Sequence, residues 1–165
     1  MVTIDWEEVN KNSPYEVEGK KGELCCRFKT KFGIEYFVIF EPTDFFSFEA
    51  YQFEIANISH IKSPRDPFLR DTVLAIVGSF FQSSKNVMIY LCETGDNKQS
   101  MRERLFRYWY ERAPHKTGFS ILSTHVVDEE GIDNYAAIIL RIDNPNIDKI
   151  LWEFTQTVKM LQEKP

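Results

Sequence analysis

The feature that most constrains this chain is a change in hydrophobic period at Asp66-Pro67. Before it, apolar residues recur every second position or in short unbroken runs, the spacing of strands. After it, Leu69, Val73, Ile76, Val77 and Phe80 follow at three- and four-residue steps, the spacing of one helical face. Asp66 is a good N-cap, and Pro67 stands where a missing N–H costs a helix nothing. A chain that builds a run of strands and then switches to a capped helix is expected to fold as α+β.

The N-terminal half reads as a meander. Tyr15–Glu18 and Leu24–Thr30 flank a Gly19-Lys20-Lys21-Gly22 turn, Lys31-Phe32-Gly33 makes the next, and Ile34–Phe40 and Ala50–Ile58 supply two more strands. The loop Glu41–Glu49 carries Phe45, Phe46 and Phe48, more apolar surface than a solvated loop needs, and is expected to cap the core or a partner. Beyond the helix, which runs to about Ser84, Val87–Cys92 reads as a buried strand. Gly78 interrupts the helix and implies close packing against the sheet.

A second helix opens with Ser100 and Glu103 as a capping box and carries Met101, Leu105, Tyr108 and Trp109 inward. Phe119–Val127 and Tyr135–Ile142 are two further strands around the acidic turn Asp128-Glu129-Glu130-Gly131. A last helix starts at Asn144-Pro145, with Ile147, Ile150, Leu151, Phe154, Val158 and Leu161 on one seam and Trp152 and Met160 off it. The expected architecture is a single α+β domain over residues 15–165, with residues 1–14 as an N-terminal extension. Its mainly antiparallel sheet has about seven strands and three helices, in the order ββββ-α-β-α-ββ-α, with the helices mostly on one face. The β-α-β-α stretch is expected to add a parallel strand pair.

Charge and cysteine content exclude several functions. A net charge of −5 disfavours a duplex-DNA coat, which depends on neutralising phosphates. The longest uncharged stretch, Thr72–Ser84, is 13 residues, short of the roughly 20 that span a bilayer. Met1–Glu8 has neither the basic nor the apolar region of a signal peptide, so the expected location is the cytoplasm. Three cysteines, two of them the adjacent Cys25 and Cys26, rule out a disulfide framework, and Cys26 and Cys92 read as small core hydrophobes. His60, His115 and His125 have no metal-ligand spacing. No cofactor is implied.

The remaining chemistry concentrates after Cys92. A strand, a cysteine, five residues and a cation resemble the phosphate loop of thiol phosphatases, but Glu93 and Asp96 place carboxylates where the dianion would sit, and Lys98 stands in for the arginine. Those two acids can instead bind a divalent metal, or cap the helix and pair with a cation. On the second helix, Arg102 projects between Trp109 and Phe106, and apolar residues including Tyr110 cover about 200° of the wheel. Arg102 either stacks on Trp109 and pairs with Glu93 or Asp96, or faces a pocket that takes an anion. Lys98–Lys116 holds six basic and two acidic residues in an otherwise acidic chain.

These residues support a non-enzymatic binding or regulatory module whose surface is Arg102, Trp109, Tyr110, Glu93 and Asp96, recognising a protein partner or a small anionic ligand. Two rivals stand beside it. One is a small enzyme on a phosphate-containing or nucleotide-like substrate, with Glu93 and Asp96 as metal or acid–base groups and Arg102 as anion clamp. The other is a structural homo-oligomer, with the last helix as a homodimer interface if Trp152 is exposed.

Phe28-Lys29-Thr30 with Gly33 and Tyr36, Asp71-Thr72, Phe80-Phe81, Ile89-Tyr90-Leu91-Cys92, Arg102, Phe106, Trp109-Tyr110 and Asn144-Pro145-Asn146 together resemble a family of short bacterial proteins of unknown function, known mostly from Bacteroidetes. The likeness runs from Tyr15 onward and implies a single-domain intracellular protein. It brings no catalytic residues.

Overall fold

The computed structural model describes residues 2–93, 111, 118–127, 130–131 and 133–162. Among them are three helices, α1 (Trp6–Asn12), α2 (Pro67–Phe80) and α3 (Ile147–Gln162). The seven strands are β1 (Glu18–Gly19), β2 (Cys25–Lys29), β3 (Glu35–Pro42), β4 (Tyr51–Asn57), β5 (Val87–Glu93), β6 (Phe119–Val127) and β7 (Asp133–Arg141). They form one sheet in the order β1-β2-β3-β4-β5-β7-β6. The fold is α+β with a mostly antiparallel sheet, as the change of period implies. The parallel pair is β4 with β5, in register Tyr51↔Met88 and Gln52↔Ile89. The helix expected from Ser100 lies outside the described residues.

The chain divides into two compact units, Met1–Glu41 with Phe53–Ser83, and Pro42–Gln52 with Ser84–Pro165. In the first, β2 and β3 alternate cleanly. Cys26 and Phe28 pair with Val38 and Tyr36, and all four are buried, while Arg27 and Lys29 face solvent. This is the one-sided pattern of an antiparallel sheet with a wet face. Gly33, at φ 76°, occupies the left-handed region that the tight β2–β3 turn requires. The core is built on aromatic rings. Phe40 stacks on Phe80 at 4.5 Å with planes 2° apart, and Phe53 lies 5.3 Å from Phe40.

The N-terminal segment, expected as an extension to the domain and with no element assigned to it, carries α1. Asp5 Oδ1 accepts from the amides of Glu7 and Glu8 at 3.1 Å each, a cap that anchors the first turn. Trp6 and Val9 are buried, and the Trp6 indole N–H donates to the Glu23 carbonyl at 3.1 Å. Asn10 bonds both backbone groups of Val17, donating to its carbonyl at 3.0 Å and accepting from its amide at 2.7 Å. A seven-residue helix is marginal alone, so these distant partners are what hold it.

α2 begins as the Asp66-Pro67 pair predicts, with Asp66 Oδ1 accepting from Phe68 N at 3.0 Å. It stops at Phe80, short of Ser84, where the Phe81 and Gln82 amides bond back to Val77 and Ser79. Val73, Ile76, Val77 and Phe80 are buried along its inner stripe. Close packing does not explain Gly78, because a Cβ built there meets no atom within 4 Å.

In the second unit, β7 pairs with both β5 and β6. Val87–Tyr90 and Tyr135–Leu140 are buried without a break, as expected of central strands covered on both faces. Ala50, Val87, Ile89, Ala136, Ile138 and Leu140 join Ile150, Phe154 and Val158 of α3 in one core cluster. The approach to α3 is an Asn144-Pro145-Asn146 turn. Asn144 Oδ1 accepts from Asn146 N at 2.9 Å, and Ile147 opens the helix.

Candidate interaction surface

Four of the five site residues expected from sequence, Asp96, Arg102, Trp109 and Tyr110, lie outside the described residues. The fifth, Glu93, is the last residue of β5, with its backbone opposite Asn134 of β7. The described residues place other groups in position to act, and their chemistry separates into polar clusters used by the fold and apolar side chains left in solvent.

The first unit contains a connected polar group. Tyr15 Oη donates to Asp66 Oδ2 at 2.6 Å while Asp66 Oδ1 caps α2, so both carboxylate oxygens are engaged in holding the fold. Thr72 Oγ1 accepts from the Tyr15 amide at 3.3 Å and donates to the Phe68 carbonyl at 2.7 Å. Tyr15 rests against Phe28, which stacks on Tyr36. Desolvation first, then the bond to Asp66, raises the Tyr15 phenol above its ordinary value. Burial likewise raises Tyr36. Both tyrosines are thus held neutral.

The two described thiols point to opposite faces, as adjacent strand residues must. Burial pushes the Cys26 thiol up to about 12, and desolvation followed by the nearby Glu23 carboxylate raises Cys25. A nucleophilic cysteine needs the opposite shift. Among the described residues no group of three His, Cys, Asp or Glu side chains gathers as a metal site.

Exposed aromatics occur in both units. In the first, Phe32 and Phe68 reach solvent, but Lys31 Nζ lies 5.3 and 5.1 Å from their ring centroids, so the chain's own cation already occupies their faces. In the second, α3 is sharply two-sided. Its inner residues Ile150, Phe154 and Val158 are spent on the core. On the outer side Trp152 is 65% exposed and Met160 70% exposed. The condition for a partner surface on the last helix, an exposed Trp152, is therefore met.

The loop before β4 is fastened to the residue that follows this tryptophan in the chain. Glu153 accepts from Ser47 twice, from its amide at 3.0 Å and its hydroxyl at 2.5 Å. Phe46 and Phe48 stack at 4.7 Å and pack on the core, with Phe46 6.1 Å from Phe154. Phe45 turns outward and is 67% exposed. The loop thus fills the core-capping role with two phenylalanines and leaves the third in solvent. A helical wheel puts Trp152 off the buried seam from sequence alone. The Ser47–Glu153 clamp that fastens the loop joins residues 106 positions apart and leaves no sequence signal.

The described residues form an α+β protein with Trp152 and Phe45 left in solvent and no gathered metal-binding group among them. Residues 65–156 match a family of unknown function (DUF6169), and the chain belongs to that family. The matched span holds α2, β5, β6, β7 and most of α3, including Asp66 and Trp152. It begins after the β1–β4 meander and ends before Met160. No curated protein matches the chain.

Proposed function

We propose that this chain is a non-enzymatic protein-binding module of the bacterial cytoplasm, and that the outer side of α3 with the Phe45 loop is one of its contact surfaces. The observation that carries this reading is Trp152, two-thirds exposed on a helix whose inner side is already committed to the core. Exposed tryptophan is costly to leave in water and is enriched at the anchor positions of interfaces. Glu153, next to it in sequence, is clamped to Ser47, so the backbone that carries the indole is held in place and less ordering entropy is lost on binding. Both Asp66 oxygens are engaged in the fold and the Cys25 and Cys26 thiols are raised, which favours binding over nucleophilic chemistry at these groups. Arg102, Trp109 and Tyr110 enter the same proposal as a second surface for a protein or small anionic ligand.

The test is affinity capture from the native cytoplasm with immobilised wild type, Trp152→Glu and Arg102→Ala, each first shown folded by circular dichroism. A protein held by wild type and lost from Trp152→Glu is the expected result. Identical capture by wild type and both variants refutes the reading.

A further inference from the structure

Asp148, Trp152, Thr155 and Lys159 lie at i, i+4, i+7 and i+11 on α3, one stripe of a helix, and all four are exposed. The stripe begins with an acid and ends with a base. Neither Asp148 nor Lys159 forms an ion pair with another described residue, and their separation of 11 residues, roughly 16 Å along the axis, keeps them from pairing with each other. From this arrangement we infer that the partner of the α3 surface is a second copy of the chain, docked with the two α3 helices antiparallel. The inference rests on the proposed binding role of that surface.

A two-fold axis midway between Phe154 and Glu153 sets Asp148 against Lys159 of the second copy at both ends of the contact. The same axis sets Trp152 against Thr155 of the second copy. The two indoles then stand about 4.5 Å apart along the helix direction, one on each side of the axis, close enough for offset stacking. A parallel arrangement would face Asp148 with Asp148 and is disfavoured by like charge. A stripe that complements itself only when reversed is what an isologous interface requires. An unrelated partner would need no such match between the two ends of one helix. Helices of 16 residues form a contact near the lower end of stable interface sizes, so exchange between monomer and dimer is expected at micromolar concentrations.

Sedimentation equilibrium of the full chain reads this directly. The wild type is expected to rise with concentration from 19.5 kDa toward about twice that mass, as dimerisation requires. Trp152→Glu is expected to remain monomeric. Asp148→Lys and Lys159→Asp, each placing like charges opposite one another, are expected to weaken association at least about tenfold, and the double exchange to restore it. All of these sites are exposed, and an unchanged circular dichroism spectrum confirms each variant is folded. A wild type that stays monomeric at all concentrations overturns the inference, as does a Trp152→Glu dimer or a double exchange no better than the singles. If the wild type is monomeric yet captures a different protein through Trp152, the second copy is refuted while the surface itself stands.

Discussion

Replacing Gly19 with alanine probes whether α1 is a structural part of its unit. A Cβ at Gly19 falls 2.3, 2.5 and 2.6 Å from Trp6 Cδ2, Cε2 and Cγ, all atoms of one rigid ring. Ordinary carbon contacts need about 3.5 Å, so the indole must withdraw by roughly 1 Å or leave its site. Withdrawal is resisted, because the ring is buried and its N–H is bonded to the Glu23 carbonyl. Overpacking of this kind costs about 1–3 kcal/mol, and complete loss of a buried indole about 3–5 kcal/mol. We therefore expect Gly19→Ala to destabilise by about 2–5 kcal/mol. For a chain of this length that lowers the melting temperature by roughly 5–15 °C, read by circular dichroism. The decisive comparison is a double-mutant cycle. In a Trp6→Ala background the obstacle is gone, and Gly19→Ala should cost under about 0.5 kcal/mol. A single-mutant cost that small, or an equal cost in both backgrounds, refutes the reasoning.

Gly78 gives the opposite expectation. With open space where its Cβ would go, Gly78→Ala should stabilise α2 by about 0.5–1 kcal/mol in urea denaturation, and a loss of stability would show that the helix cannot accept a side chain there. Tyr15 links stability to alkaline pH. Its raised phenol keeps its proton in the folded chain while the unfolded chain ionises near 10, so this contribution is complete below about pH 10 and is lost as pH rises beyond it. Tyr15→Phe should cost about 1–2 kcal/mol at neutral pH and flatten the fall above pH 10, and parallel pH profiles would refute the assignment. Glu153→Ala removes both acceptors of Ser47. Amide exchange over residues 43–49 should quicken for about 1 kcal/mol of overall stability, and unchanged protection at Ser47 would show that the clamp does not hold the loop.

The strands and long helices were legible because their signals are local. Asp66-Pro67 starts α2 where the cap and proline predict, and the β2 and β3 alternation reports which side chains are buried. α1 escaped because only Trp6 and Val9 face inward over seven residues, too few for a periodic signal. Asp5 with Glu8 three residues later was the trace that could have found it. Gly78 misled for a related reason, since a glycine in a helix reports that a side chain is missing and not whether space is available. Trp152 was readable as off the seam. The stripe it shares with Asp148 and Lys159 mattered only once the seam was seen to be filled by the core.

By itself the amino-acid sequence determined the order of the seven strands with α2 and α3 among them, because period, caps and turn glycines act within a few residues. Tertiary structure alone decided that β7 lies between β5 and β6, that Trp6 sits over Gly19, and that Ser47 holds Glu153. Each of these is a contact between distant residues whose free energy comes from shape and desolvation at one place in the folded chain, and no window of sequence carries it.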